Sequence, residues 1–169
     1  GQVTEERRQE QFRTLADAQE AVLDLQNWKE FLKVPMLTGY RTGSLISSQT
    51  ALMYTYAMYL IGKKDYGVEL AQLRNVIARW FFMASLTARY SSSPESRMEM
   101  DLSLLRPVHD AAGIVATLDR IISDALTDDY WRITIPNELA TSSARSPALF
   151  AYYAALNLLE ARVLFSQMK

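Results

Sequence analysis

Apolar residues recur at intervals of three and four along most of this chain, a spacing that places them on one face of an α-helix. The first stripe predicts one long helix from Thr4 to about Lys33, which Pro35 ends. Its apolar positions are Phe12, Leu15, Ala18, Val22, Leu25, Trp28, Phe31 and Leu32. Asp110 is predicted to cap another regular helix, which ends near Ala125.

Two further segments are apolar on nearly every side. The first predicts a helix from residues 47–48 to Lys63, and the second predicts a helix from Val68 to Tyr90. The second half of the latter includes the run W-F-F-M-A at 80–84. A helix without a polar face must be surrounded by others, so this third helix is predicted to be the buried centre.

Two Ser-Pro steps, at 93–94 and 146–147, each predict the start of a helix. The serine hydroxyl is expected to cap the helix, and proline fits the first helical position because its missing N–H needs no partner there. The first of these helices is expected to end near Leu105 and the second near Gln167.

Trp131, Ile133 and Ile135 alternate with polar residues as in a strand, but the sequence offers no partner strand. A short helix broken at Pro136 is therefore predicted. The fold class that follows is all-α. We expect a single-domain bundle of six or seven helices over residues 1–169, with a buried central apolar helix.

The charge of the chain is nearly balanced, with 18 Lys and Arg against 19 Asp and Glu in 169 residues and a net charge of −1. This balance excludes a broadly basic nucleic-acid binder. The chain has no cysteine and one histidine. Disulfides, thiolate nucleophiles, sulfur-based zinc sites and histidine clusters are therefore excluded.

The longest apolar run, from Pro147 to Leu156, is shorter than the roughly 20 residues that cross a bilayer. The charged segment near the N-terminus lacks the apolar core of a signal peptide. The sequence therefore predicts a cytoplasmic protein without a membrane partner. The start at Gly1-Gln2, without methionine, is typical of a fragment excised from a longer protein.

No set of residues in the sequence meets the requirements of a catalytic site. His109 is predicted in a loop before a capping aspartate, without a nucleophile and an orienting partner. Glu95, Glu99 and Asp101 share a short helix with nearby arginines, which favours a solvated, salt-bridged face over a cation site. Since a glycine-rich phosphate loop is also absent, we assign no catalytic residue, metal or cofactor.

Arginines and hydroxyls cluster where the third predicted helix meets the fourth. The candidate residues are Arg79, Arg89, Tyr90, Ser91 and Ser93, with Arg145 as a further candidate. Free N–H groups at a helix N-terminus, beside arginines and hydroxyls, can hold a phosphate or another anion, so this is the candidate anion or nucleic-acid contact. The alternative is that these groups only cap the two helix ends.

Two long stretches of the sequence are distinctive enough to compare with known families. Leu73 to Leu102 reads LRNVIARWFFMASLTARYSSSPESRMEMDL, and Trp131 to Phe165 reads WRITIPNELATSSARSPALFAYYAALNLLEARVLF. Together with ALMYTYAMYLIGKK at 51–64, they resemble the helical middle region of the bacterial GmrSD-type proteins, also called domain-of-unknown-function 262 proteins. The resemblance covers roughly Leu45 to the C-terminus.

Proteins of that family carry an N-terminal ParB-like domain implicated in nucleotide hydrolysis, a helical region, and a C-terminal nuclease domain of the HNH type. The resemblance therefore implies a non-catalytic helical domain that links the two in a restriction-like phage-defence protein, with the full-length protein a nucleotide-dependent endonuclease. Its partners would be the flanking domains of the same polypeptide. This chain lacks the Asp-Gly step of the ParB-like motif and ends before the histidines of the nuclease, so neither catalytic set carries over.

Two other functions stay open at this point. One is a DNA-contacting or modified-base-sensing helical domain that uses the arginine cluster, with DNA as its partner. The other is a free-standing protein-interaction or dimerisation module, which requires an exposed apolar patch. The sequence leaves the oligomeric state open.

Overall fold

The computed structural model describes residues 4–141 and 143–161. All regular secondary structure in these residues is helical, which confirms the predicted all-α class. The helices are α1 Glu5–Leu23, α2 Leu25–Phe31, α3 Lys33–Leu37, α4 Gln49–Lys64, α5 Leu70–Leu86, α6 Pro94–Leu105, α7 Ala111–Ala125, α8 Ile135–Thr141 and α9 Pro147–Leu158. Among these helices, none combines the length and apolar character needed to span a bilayer. Helix α9 ends at Leu158, earlier than the predicted end near Gln167, because Glu160 adopts the left-handed conformation with a φ of 50°. Gln167 itself lies outside the described residues.

Helix α5 lies at the centre of the fold, as its apolar sequence predicts. It packs against α3, α4, α7 and α9. Its first half buries Leu73, Val76 and Ile77, and its second half buries Trp80 and Phe81 completely. These four helices together exclude water from these residues of α5.

Three predicted helix starts are confirmed in detail by side-chain caps. Ser48 accepts a hydrogen bond from the third residue of α4, and Ser146 accepts one from the third residue of α9, both at 3.1 Å. Asp110 accepts one from the Gly113 N–H at 2.7 Å at the start of α7. Each cap satisfies a backbone donor that has no partner within its helix.

The single helix predicted for residues 4–33 is divided into α1, α2 and the start of α3. Asp24 adopts extended backbone angles, and its carboxylate accepts a hydrogen bond from the Gln26 N–H at 2.7 Å, so it caps α2 instead of continuing α1. The break leaves carbonyl groups of α1 without helical partners. Asn27 binds one of them by donating to the Ala21 carbonyl at 2.9 Å.

Pro35 does not end a helix, contrary to the prediction. It lies in the first turn of α3, which begins at Lys33. Proline is tolerated in a first turn because the N–H it lacks would have no partner there. The prediction was wrong because the preceding chain break, which makes this a first turn, has no proline or glycine to signal it.

Most of the apolar stripe predicted for the first helix is not buried. Phe12 and Leu15 on α1 remain 70% and 64% exposed, and Leu25 is exposed as well, whereas Phe31 on α2 is fully buried. The break at Asp24 brings α2, and only the end of α1, against α4. The periodicity therefore identified an apolar face correctly but did not show that this face would lie outside the core.

The helix predicted near Trp131 is not broken at Pro136. A π-helical turn at Tyr130–Thr134 runs directly into α8, which continues through the proline to Thr141. In the wider turn the Ile135 N–H bonds to the Tyr130 carbonyl, five residues back. Because the proline follows this widened turn and begins a new α-helical segment, it interrupts no regular ladder.

Helix α9 packs a row of alanines, rather than its leucines and tyrosines, against the core. Ala148, Ala151 and Ala154 are buried, whereas Tyr152 and Tyr153 are exposed. Small side chains let two backbones approach closely, so the face of a helix that packs most tightly can be its least hydrophobic one.

The loop that follows α3 packs closely against the alanine face of α9. Gly39 has a φ of +85°, and a Cβ atom there would lie 2.0 Å from the Ala154 carbonyl oxygen. Asn157 donates a hydrogen bond to the Gly39 carbonyl at 2.8 Å, and Arg41 donates one to the Asn157 carbonyl at 2.7 Å. The same loop buries Tyr40 against the edge of an α5 aromatic ring. These bonds therefore fasten the loop after α3 to α9.

We expect Gly39→Ala to lower the free energy of unfolding by about 2–4 kcal/mol, because it adds a side chain at a left-handed position with no room beside α9. Gly43→Ala is the matched control, since a Cβ there meets nothing within 4 Å. Urea unfolding followed by circular dichroism measures both. Equal stabilities of the two variants would contradict the close approach.

Candidate functional site

The candidate contact residues Arg89 and Tyr90 lie in the loop between α5 and α6. Helix α5 ends at Leu86, earlier than predicted, because Ala88 adopts the left-handed conformation with a φ of 49°. The Arg89 N–H then bonds back to the Ala84 carbonyl at 3.0 Å, which makes a Schellman motif. Glycine usually holds the left-handed position, and its absence here hides the helix end from the sequence.

Both side chains bind one carboxylate on α6, that of Asp101. Arg89 donates from Nε to Oδ2 at 2.9 Å and from Nη2 to Oδ1 at 2.5 Å, which makes a bidentate ion pair. The Tyr90 hydroxyl donates to Oδ2 at 2.8 Å. The side chains of Asp101 and Arg89 are only 1% and 11% exposed. We refer to these three residues as the α5–α6 interlock.

Aromatic rings surround the interlock. The guanidinium carbon of Arg89 lies 5.3 Å from the centroid of the Trp80 ring, and the Tyr54 ring meets the Tyr90 ring edge-on at 5.0 Å. Burial raises the pKa of Tyr90, and the negative charge of Asp101 raises it further. Burial by itself lowers the pKa of Arg89, but its bonds to Asp101 outweigh that effect and the net shift is upward. Arg89 therefore stays cationic and Tyr90 stays neutral.

The solvated acidic face predicted on α6 is correct for Glu95 and Glu99, which are exposed, and wrong for Asp101. Helix α6 buries Met98, Asp101 and Leu105, whose spacing puts them on one face. An aspartate in an otherwise apolar row is the sequence signal that identifies the interlock.

The structure does not bring the other predicted residues into one cluster with Arg89. Arg79 forms an ion pair with Asp119 on α7 at 2.7 Å. Ser91 donates to a carbonyl within its own turn at 2.7 Å. Ser93 has a φ of 48° and makes no side-chain cap, contrary to the prediction, although α6 does begin at the next residue. Arg145 is exposed in the turn that precedes α9.

A second polar cluster, which was not predicted from the sequence, joins α2 to α4. Lys63 Nζ lies 2.9 Å from Glu30 Oε2 and donates to Asn27 Oδ1 at 2.9 Å. The Tyr59 hydroxyl also donates to Glu30 Oε2 at 2.9 Å. The signal in the sequence is Lys63 itself, one turn after Tyr59 on a helix that is otherwise almost entirely apolar. We refer to these four residues as the α2–α4 clamp.

The clamp stabilises the charged form of Glu30. Hydrogen bonds from Lys63 and from Gln26 lower the pKa of Glu30 from 4.5 to about 2. Because the Glu30 side chain is 17% exposed, the surrounding water screens its attraction to Lys63 only in part. The clamp therefore links the charge on one carboxylate to the position of α2.

An apolar cleft of about 670 Å³ lies between α3, α5 and α7, near the end of α9. Its apolar lining includes Phe82, Ile122 and Leu158, and Arg79 stands among its polar residues. The volume is that of a small-molecule site. The cation at the cleft is already paired with Asp119.

Within residues 4–141 and 143–161, no three His, Asp or Glu side chains come together as a metal-ion site. His109 is exposed and directly precedes the capping Asp110. No protein-family model, curated protein or solved structure matches this chain.

We expect Asp101→Asn to lower the free energy of unfolding by about 3–5 kcal/mol, because it leaves the Arg89 charge buried without a counter-charge. Tyr90→Phe should cost about 1–2 kcal/mol, since it removes one hydrogen bond to a charged group. Glu99→Gln changes an exposed carboxylate on the same helix and should stay within about 0.5 kcal/mol of the parent. If chemical unfolding gave Asp101→Asn and Glu99→Gln the same stability, the interlock would not be structural.

The clamp predicts a pH dependence. Since the folded pKa of Glu30 lies below its ordinary value, its contribution to stability is present above pH 4.5 and is lost as the pH falls towards 2. Because solvent screens this pair, we expect the contribution at neutral pH to be about 1–2 kcal/mol. Glu30→Gln and Lys63→Met should each remove this part of the acid dependence of the free energy of unfolding. An unchanged acid dependence in both variants would contradict the assignment.

Proposed function

We propose that this chain is a non-catalytic helical domain that connects a ParB-like nucleotide-dependent domain to an HNH-type nuclease domain in a restriction-like defence protein. The proposal combines the resemblance of the sequence to GmrSD-type proteins with the position of the resembling stretches in the fold. Leu73–Leu102 forms the central helix, the interlock and α6. The described part of Trp131–Phe165 forms the π-helical turn, α8 and α9, which packs against the centre.

The observation that supports the proposal is that the polar groups of the interlock bind one another and not a ligand. Two charged side chains of the resembling stretches, Arg89 and Asp101, bind each other and are buried. Burial makes this pairing costly to break, because either charge alone would be left desolvated. A connector benefits from such a pair, since it fixes the direction of α6 relative to α5.

The same observation weighs against a DNA-contacting function for Arg89 and Tyr90. A phosphate could bind the Arg89 guanidinium only by displacing Asp101, and Tyr90 binds the same carboxylate. Arg79 and Arg145 are more exposed and therefore provide the test of DNA contact.

The direct test is to measure nucleotide hydrolysis, DNA cleavage and low-salt binding of unmodified and base-modified duplex with this chain. We expect neither hydrolysis nor cleavage, and no saturable binding that weakens with salt. If DNA-cleavage activity co-purified with the chain, the proposal of a non-catalytic connector would be wrong. DNA contact would be favoured instead if binding weakened with salt at a slope of about 0.9 per phosphate contact. Arg79→Ala or Arg145→Ala should then reduce this binding, and the control Lys29→Ala should not.

A second test uses a full-length protein that contains this domain. Loosening the connector with Tyr90→Phe should leave nucleotide hydrolysis intact and reduce nucleotide-dependent DNA cleavage, because only the coupling between the two depends on α5 and α6. Glu99→Gln is the control and should leave both activities unchanged. Equal cleavage by the two variants would contradict a coupling role.

A further inference from the structure

Helix α1 projects from the protein and is attached to it at its last turn. Of its 19 residues, Ala21 is the one that is buried, and every residue from Thr4 to Glu20 is exposed. A cleft of about 470 Å³ lies between α1 and α4, with Asp17 on one wall and Lys64 on the other. Helix α1 is about 28 Å long, and the described chain covers too little of it to fix its direction along that length. Its direction must therefore be set at its C-terminal end.

Side chains of α2 and α4 hold this end of α1 by its carbonyl groups. Asn27 donates a hydrogen bond to the Ala21 carbonyl at 2.9 Å. The Val22 carbonyl accepts two hydrogen bonds, from Trp28 Nε1 at 2.7 Å and from the Tyr56 hydroxyl at 3.2 Å. Both carbonyl groups belong to the last turn of α1, which offers them no helical partner. We refer to these five residues as the α1 joint.

The donors of the α1 joint are themselves held in place by packing. The rings of Trp28 and Tyr56 lie against each other with their centroids 3.9 Å apart. The fully buried Phe31 ring contacts both, with its centroid 6.1 Å from that of Trp28 and 5.0 Å from that of Tyr56. Because rings packed in this way have few allowed orientations, they cannot follow a movement of α1. A swing of α1 about Asp24 must therefore break both bonds to the Val22 carbonyl.

One residue is shared between the α1 joint and the α2–α4 clamp. The amide nitrogen of Asn27 donates to the Ala21 carbonyl, and its Oδ1 accepts a hydrogen bond from Lys63 Nζ at 2.9 Å. Since Asn27 is only 3% exposed, water cannot readily replace either partner. Lys63 is held in turn by its ion pair with Glu30, at 2.9 Å. The ion pair of the clamp therefore fixes the amide group that holds the end of α1.

We propose that the α1 joint is a locked hinge, which holds α1 as an arm in one direction relative to the bundle. While its hydrogen bonds are intact, the arm keeps that direction. When they are lost, the arm swings about Asp24, where the backbone is extended. This property of the joint does not depend on the connector function. The use of the arm rests on that proposed function: in the connector, α1 keeps the preceding nucleotide-dependent domain in a fixed direction.

The first experiment measures distances between pairs of spin labels by double electron–electron resonance. Because the chain has no cysteine, each label attaches only to an introduced one. A label at Arg13→Cys on α1 is paired with one at Ser96→Cys on α6 or at Ser123→Cys on α7, all three positions being exposed. The pair of Ser96→Cys and Ser123→Cys reports on the bundle itself. We expect a single narrow distance distribution for every pair. A broad distribution for the α1 pairs alone would overturn the lock.

The same pairs are then measured after the α1 joint is loosened. Tyr56→Phe removes one donor, and Asn27→Asp replaces another with a carboxylate that repels the Ala21 carbonyl. With both changes, the distributions of the α1 pairs should become at least about two-fold wider, as expected for a released hinge. The distribution of the α6–α7 pair should stay unchanged, which shows that the bundle is still folded.

Two further variants keep this experiment decisive. Tyr56→Phe alone should widen the α1 distributions to a smaller extent, and it serves as the test if the double variant does not fold. Tyr66→Phe is the matched control, because it removes a hydroxyl that donates to the Leu105 carbonyl, outside the joint, and it should leave every distribution unchanged. The proposal is wrong if the α1 distributions of the joint variants are as narrow as that of Tyr66→Phe.

The second experiment tests the use of the arm in a full-length protein that contains this domain. Tyr56→Phe should leave nucleotide hydrolysis intact and reduce nucleotide-dependent DNA cleavage, because the preceding domain is no longer held in one direction. Glu99→Gln is the control and should change neither activity. If Tyr56→Phe widens the distances but leaves cleavage unchanged, the arm does not have this use. A full-length parent with neither activity would contradict the proposed function instead, whereas the lock itself is decided by the spin labels.

Discussion

The structure depends on the burial of one helix that has no polar face. Because α5 is apolar on every side in its second half, it can exist in water only when other helices surround it. Helices α3, α4, α7 and α9 do so, and each of them needs an apolar face for the purpose. Burial also limits how α5 can end, since its last carbonyl groups cannot be left without partners. The Schellman motif at Ala88 gives partners to the Ala84 and Ser85 carbonyls, and the Tyr130 hydroxyl donates to the Leu86 carbonyl.

The sequence predicted what depends on local patterning. Helical periodicity, Ser-Pro steps and capping residues gave the all-α class, the central helix and the starts of α4, α6, α7 and α9. The pattern failed where a break has no glycine or proline to mark it, as at Asp24 and Ala88. Periodicity also does not decide between two apolar faces of one helix, as in α9, where the alanines are buried and Tyr152 and Tyr153 are exposed.

The candidate site, like the fold, could be predicted from the sequence only in part. Arg89 and Tyr90 were predicted as anion-binding candidates because they lie where two helices meet. The residue that determines their role, Asp101, lies on the next helix. Asp101 is near them in space because α6 turns that face inward, which depends on Met98 and Leu105. A cluster of arginines and hydroxyls in a sequence therefore does not distinguish a ligand site from an internal ion pair. The difference is whether a carboxylate is buried within reach.

The bonds between the Gly39 loop and α9 have a consequence for how the protein is made. Residues 39–41 are synthesised more than a hundred residues before their hydrogen-bond partner Asn157. Until α9 emerges, the aromatic residues Tyr40 and Phe81 lack the cover that Ala154 provides. The nascent chain can form its local helices during translation, but this apolar surface stays uncovered until α9 has been synthesised. The interval between the synthesis of α5 and that of α9 is therefore when we expect the chain to be most prone to aggregation.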